Sequence, residues 1–325
     1  MTKLKFALAL GLCAGTLFAN VSVAQDKWPS KPVTMVVPFP PGGPTDIVAR
    51  AIATDLSKRL NQTFVVENKA GANGTIGSAA VARAAPDGYT ILYNTSSLAL
   101  SPALFKDLAF NPKTDFAAIS STANIPLVLL THPKTNIKSV DELTASLQEG
   151  KKNLSYGSAG IGNITHLGAF LYTQHVKSNP QHAPYRGSAP AMVDLVGGQI
   201  DFMMNTLNDS VPFIKEGKVI ALGLASKERN KEVFPDVPTL SEKLGEEFVV
   251  GAWQGIVAPK DTPKEIVQAL NKAVNESLQS DGFKQLAKTQ GFEILGSTPE
   301  DYQTFISNEV DRWEETVKQS GIQKN

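Results

Sequence analysis

Val33-Thr34-Met35-Val36-Val37-Pro38-Phe39-Pro40-Pro41-Gly42-Gly43-Pro44-Thr45-Asp46-Ile47-Val48 packs three structural units into one short stretch. Val33 to Val37 is apolar and rich in β-branched side chains, so it reads as a buried strand. Phe39 to Pro44 is a proline–glycine turn. A helix is predicted over 45–60, with Ile47, Val48, Ala51, Ile52, Leu56 and Leu60 on one apolar face. Strand, turn and helix then recur outward: a strand over 64–67, a small-residue helix over 76–84, and a strand over 90–93. Pro86-Asp87-Gly88 is the turn between the last two.

After Pro126 the pattern restarts. Strands are predicted over 127–130, 154–156, 182–185, 201–204 and 220–224, and helices over 140–148, 165–176 and 189–196. Ser139 is a candidate cap for the first of these helices. Toward the C-terminus, a strand over 255–258 precedes helices. Thr262-Pro263-Lys264-Glu265 reads as a capping box with proline at the first helical position, and Thr298-Pro299-Glu300 opens the last helix in the same way. Regular alternation of strands and helices means α/β layers. The restart predicts two lobes: residues 25–124 with 253–325, and residues 125–252. The crossings fall near Ile125 and Trp253, and a cleft between lobes suits a small ligand.

The N-terminus carries Lys3 and Lys5, then an uncharged apolar run over 6–23 that ends Ser22-Val23-Ala24. It reads as a secretory signal peptide cleaved after about Ala24. A membrane anchor is the competing reading, because the run is close to spanning length; its richness in Ala and Gly favours the signal. Cys13, the single cysteine, would leave with that segment. Leu12 before it is too large for a lipoprotein site. The mature chain would then be held by its core, with no disulfide. Taking Lys3 and Lys5 from the 31 basic residues leaves 29 against 31 acidic ones. Such a balance carries no footprint for nucleic acid.

Candidate binding residues cluster where strands end and helices begin. The turn with Phe39, Gly42, Gly43, Thr45 and Asp46 would offer a ligand close backbone approach and a helix N-terminus, which favours a carboxylate or phosphate. The segment Ser158, Ala159, Gly160 to Thr165 and His166 repeats that logic in the second lobe. Two anion-receptive helix starts, one per lobe, could grip both ends of a diacid. Asn94, Thr95 and Ser96 offer short polar groups. Tyr185, Arg186 and Gly187 offer a guanidinium fork for a carboxylate. Asn205 and Asp209 follow a methionine-rich strand.

Other chemistries fit less well. The loop after Tyr156 lacks the Gly-x-x-x-x-Gly-Lys-Ser/Thr pattern of a nucleotide site. It also lacks the glycine two residues before Ser158 that a serine-hydrolase elbow needs, although His166 could serve Ser158 as a base. His132, His166, His175 and His182 have no metal-ligand spacing. We therefore expect no enzyme, no metal and no cofactor.

Longer stretches point to a family. They are Val37 to Gly43 with Asp46 and Arg50; Val66-Glu67-Asn68-Lys69-Ala70-Gly71-Ala72-Asn73-Gly74-Thr75-Ile76-Gly77; Pro86-Asp87-Gly88-Tyr89-Thr90; Thr165-His166-Leu167; Tyr185-Arg186-Gly187; Gly197-Gly198-Gln199-Ile200-Asp201; Pro235-Asp236-Val237-Pro238-Thr239; and Ala258 to Pro263. In this order the chain resembles the Bug-type solute-binding proteins of tripartite tricarboxylate transporters. The resemblance implies a two-lobe periplasmic binding protein of the type II, Venus-flytrap kind. It would be monomeric and would deliver a small carboxylate to membrane permease subunits or, alternatively, to a sensor. It also implies that the loops named above face one cleft. Two positions depart from the family: Phe170 and Asn205 stand where relatives often carry acids. Less negative charge predicts a carboxylic acid without an amino group, aromatic acids included. Asp46 and Asp209 weaken that prediction.

Overall fold

The structure, a computed structural model, describes residues 28–150 and 153–324. The signal-peptide reading falls outside these residues. Among them, no helix is long and apolar enough to cross a membrane.

β1 (Val33–Val37) leads through the proline–glycine turn into α1 (Pro44–Arg59), and β2 (Phe64–Asn68) pairs parallel to β1. A 3-10 turn, Ala72–Gly74, opens α2 (Thr75–Ala82); β3 (Thr90–Thr95) then pairs with β1 on its other side. α3 (Ser97–Leu104) follows at once. β4 (Phe116–Thr131) is the longest strand. It is followed by a 3-10 turn, Pro133–Thr135, and α4 (Val140–Glu149). Next come β5 (Ser155–Ser158), α5 (Ile164–His175), β6 (Gln181–Pro184), α6 (Ser188–Gly197), β7 (Phe202–Thr206), α7 (Leu207–Lys215), β8 (Ile220–Leu224) and α8 (Leu240–Leu244). β9 (Gly251–Pro259), α9 (Lys264–Leu278), α10 (Asp281–Gln290), β10 (Glu293–Ile294) and α11 (Pro299–Ser320) complete the chain.

The strand order is β2-β1-β3-β9-β4-β7-β5-β6, with β8 and β10 also on β4. β4 divides the sheet. Its first part, Phe116 to Pro126, pairs with β9, and its second part, Leu127 to Thr131, pairs with β7 and β8. The pairing changes partner at Pro126–Leu127, where a backbone triangle ties three segments. Leu127 N–H donates to Val250 O (3.1 Å), Val250 N–H to Ala225 O (3.0 Å), and Ala225 N–H to Leu127 O (2.8 Å). Backbone groups that lose their strand partner here are thereby kept paired, as burial demands. Gly251 at this crossing has no room for a side chain: a Cβ would sit 2.2 Å from Asn124 Oδ1.

Each half packs its own apolar cluster. Val33, Met35, Val37, Ile52, Leu56, Ile91 and Leu270 form one, and Leu130, Leu195, Met203 and Leu224 another. A third cluster is continuous from α3 through Trp253 and α11 to α5 and the second half of β4. α11 is therefore not confined to the first half. Trp253 and Trp313 both donate their indole N–H to Glu309 Oε2, at 2.8 and 2.9 Å, so the burial of two large aromatics leaves no donor unpaired.

Several sequence expectations are corrected. In α1 the buried face is Val48, Ala49, Ile52, Ala53 and Leu56, whereas Ile47 is exposed. A stripe at 48, 52 and 56 leaves position 47 about 100° off the core direction. The strand predicted to begin at 127 starts at Phe116; its first part has small and hydroxyl residues, so no aliphatic run marks it in the sequence. The Thr262 capping box does not form. Thr262 Oγ1 donates to Pro259 O, and the helix starts at Lys264 with Pro263 as its cap residue. Thr298 does cap α11, accepting from Asp301 N–H at 3.1 Å, and Ser139 caps α4. The sequence predicts no helix over 97–104 or 207–215, where the structure has α3 and α7.

Candidate ligand-binding site

In both halves, parallel strands run side by side and each ends in a turn to a helix: β1 and β3 in one, β5, β6 and β7 in the other. The carboxyl ends of such strands, with helix N-termini beside them, are where α/β sheets bind ligands. They converge here on a cavity of about 490 Å³.

From the first half, the wall is Phe39, Pro40, Pro44 and Thr45 after β1, Asn73 of the 3-10 turn, and Thr95, Ser96, Ser97 and Leu100 at the start of α3. From the second come Ala159, Asn163, Ile164 and Thr165 after β5, Arg186 to Pro190 after β6, and Asn205, Thr206 and Asp209 after β7. Ile125, Ala252 and Gln254 of the crossing strands form the floor. Strand alternation accounts for that floor: Asn124, Gly251 and Trp253 point to the opposite side.

Ten sequence-predicted positions line this cavity: Phe39, Thr45, Thr95, Ser96, Ala159, Thr165, Arg186, Gly187, Asn205 and Asp209. Eight do not, and most of those hold the lining loops in shape. The Asp46 carboxylate is buried. It accepts from Gly42 N–H (2.9 Å), Arg50 Nε (2.9 Å) and Asn68 Nδ2 (2.8 Å), pinning the β1–α1 turn from behind. Burial raises its pKa, but the bonds from Arg50, Gly42 and Asn68 outweigh that and leave it below the ordinary carboxylate value. Gly42 takes φ +81°, a left-handed turn conformation, and Gly43 is the cap residue of α1. Asn94 is fully buried and paired with the Tyr302 hydroxyl. Tyr185 donates its hydroxyl to Asp194 (2.7 Å), and Gly160 N–H donates to Ser158 Oγ.

Ser158 and His166 do not form a nucleophile–base pair. Ser158 is fully buried and shares a 2.7 Å hydrogen bond with His182 Nε2. His166 Nδ1 accepts from Gly162 N–H at 3.1 Å, so it acts as a brace for the loop. The two imidazoles stack face to face, with centroids 4.0 Å apart and planes within 2°, and Tyr156 stacks on His182. Burial drives both pKa values down, to about 4, and for His166 the neighbouring His182 adds to the effect. Neutral rings in that state can stack without repulsion.

Arg186 is the only cation among the described lining residues; it is exposed, and its side chain has no protein partner. Asp209 is the only acid, and its Oδ2 accepts from the Ser188 hydroxyl (2.9 Å). Phe170 is not part of the lining, so only Asn205, of the two departures, bears on the cavity. The sequence reading passed over Asn73, Ser97, Asn163, Ser188, Thr206 and Gln254. Asn73 lies inside the 66–77 motif, and Ser97 and Thr206 each adjoin a sequence-predicted residue. Gln254 carried no signal, because nothing local says which face of β9 meets the cavity.

The family model for the tripartite tricarboxylate transporter family receptor matches residues 48–322. Three solved structures are similar over most of the chain. Periplasmic binding protein BugD is 37% identical with a TM-score of 0.78, over 92% of this chain and all of that one. An R. palustris protein solved with adipate is 31% identical with a TM-score of 0.81, over 92% and 100%. MatC from Rhodopseudomonas palustris, solved with bound malate, is 35% identical with a TM-score of 0.76, over 89% and 99%. With the two-part α/β sheet and its central cavity, these matches show that the chain belongs to the tripartite tricarboxylate transporter receptor family, whose members are periplasmic solute-binding receptors and not enzymes.

Proposed function

We propose that this receptor captures a small organic carboxylate, a di- or tricarboxylate or an aromatic acid, and hands it to the permease subunits of a tripartite tricarboxylate-type transporter. The observation that carries the reading is the cavity itself. Its walls come from both halves, its polar groups are mostly hydroxyls and amides at helix starts, and Arg186 stands without a protein partner. Such walls suit an anion, since helix N-termini and backbone N–H groups favour negative charge. Adipate and malate in two relatives agree with that chemistry.

On this reading the ligand-contacting positions are those of the lining, and residues such as Asp46 and His166 shape it from behind. The lobes are 25–124 with 253–325, and 125–252, and they close about the crossings near Ile125 and Trp253. Ligand touching both lobes favours the closed state by its differential affinity. The chain works as a monomer in the periplasm after loss of a signal peptide near Ala24. Calorimetry of the purified protein against dicarboxylates, tricarboxylates, aromatic acids and amino acids tests the ligand class. Binding confined to amino acids, or to none of these, refutes it. Loss of uptake of the bound acid in a deletion strain tests the transport role; unchanged uptake with lost gene induction would mean sensing instead.

A further inference from the structure

On the face of the β4–β9 crossing opposite the ligand cavity lies a second cavity, of about 260 Å³. The two cavities share no lining residue. Trp253, Phe305 and Leu295 give the second one an apolar wall. Phe305 meets Trp253 edge to face, with centroids 5.1 Å apart, and remains 38% exposed. Leu295 is 36% exposed. An aromatic and an aliphatic side chain are thus held partly in water beside a buried indole.

Four charged side chains also border this cavity, and two of them satisfy each other. Glu309 is buried; its Oε2 accepts both indole N–H groups, and its Oε1 accepts from Arg312 Nη1 at 3.2 Å. Arg312 Nη2 donates to Val249 O at 3.0 Å. The other two are not neutralised. The Lys227 ammonium, after β8, has no protein partner among the described residues. The Glu293 carboxylate, on β10, accepts from the neutral Asn124 amide at 2.9 Å and has no ion-pair partner among them. Lys227 and Glu293 do not pair with each other, so one cation and one anion stand apart at the same cavity.

We propose that this second cavity binds a free α-amino acid with an aromatic side chain, its ring against Trp253 and Phe305, its carboxylate on Lys227 and its ammonium on Glu293. An aromatic acid would meet Lys227 but bring a like charge toward Glu293, and an aromatic amine would do the reverse. An uncharged ring would gain the apolar contact and no ion pair. A zwitterion meets both charges and adds no net charge to a lining whose own charges cancel. β8 pairs with the second part of β4 and β10 with its first, so the occupant bridges the two parts of the strand that divides the sheet.

The test is titration calorimetry of the purified protein with L-phenylalanine and with two molecules that each lack one of its charges, phenylpropanoate and phenethylamine. Phenylalanine should bind about tenfold tighter or more than either. Lys227→Gln should remove most of its advantage over phenethylamine, and Glu293→Gln, which keeps an oxygen for Asn124, most of its advantage over phenylpropanoate. Phe305→Ala should weaken phenylalanine, with thermal unfolding confirming that all three variants fold. Amino-acid binding that disappears in these variants belongs to this site and leaves the carboxylate reading untouched. No binding of phenylalanine, equal affinities for the three molecules, or phenylalanine binding that survives the three folded variants overturns the proposal. So does phenylalanine binding lost in Arg186→Gln and kept in Lys227→Gln, which would place the amino acid in the first cavity and count against the carboxylate reading instead.

Discussion

The His166–His182 stack makes stability depend on pH in a definite direction. Both imidazoles are pushed down from 6.5 to about 4, chiefly by burial. The unfolded chain then binds more protons than the folded one between those values. Stability is full above pH 6.5 and falls as the pH drops toward 4. For one such group, moving from pH 7 to pH 5 costs roughly 2 kcal/mol. His182 is partly exposed and deserves a smaller share, so the pair costs roughly 3 kcal/mol in total. In a chain of this size that lowers the melting temperature by about 6 °C. His182→Gln keeps a partner for Ser158 and removes one titrating ring, so its melting temperature should fall less over the same interval. Scanning calorimetry of both proteins at pH 7, 6 and 5 measures the difference. Melting temperatures of wild type and variant that fall in parallel would show that the stack does not hold its rings neutral, and the reasoning would fail.

Asp46→Ala should destabilise the fold by about 3 kcal/mol, because a buried acceptor of three hydrogen bonds is lost and Gly42, Arg50 and Asn68 each lose one of their bonds; urea unfolding measures it. Gly162→Ala combines a φ of +74° with a Cβ only 2.4 Å from Leu104 Cδ2 of α3, and should cost about 1–3 kcal/mol by the same method. Arg186→Gln should weaken binding of the captured acid by about tenfold or more, yet shift unfolding by less than about 0.5 kcal/mol, since the side chain has no protein partner. Affinity unchanged in that variant would remove Arg186 from the site.

The candidate site was partly legible for a physical reason. Turns such as Phe39 to Thr45 announce themselves, because proline and left-handed glycine leave a local mark. A loop that touches a ligand and a loop that braces it carry the same marks, however. By sequence Asp46 and His166 read as ligand groups; neither lines the cavity, and their hydrogen bonds to Asn68 and Gly162 pin the loops beside it. The helix after Ser96 was hidden for another reason. Its sequence, Ser-Leu-Ala-Leu-Ser-Pro-Ala-Leu, is buried on nearly every side and so shows no amphipathic period.

Local chemistry in the chain determined the α/β alternation and the strand-to-helix turns able to receive an anion. Period and propensity act over a few residues, so one chain suffices to read them. Only the tertiary structure decided which of those turns meet. It set Gln254 into the cavity floor, turned Ser158 toward His182, and left Asn205 Oδ1 without a partner. Those outcomes depend on pairing between segments as distant as β4 and β9, where burial and register act together and no local pattern records the result.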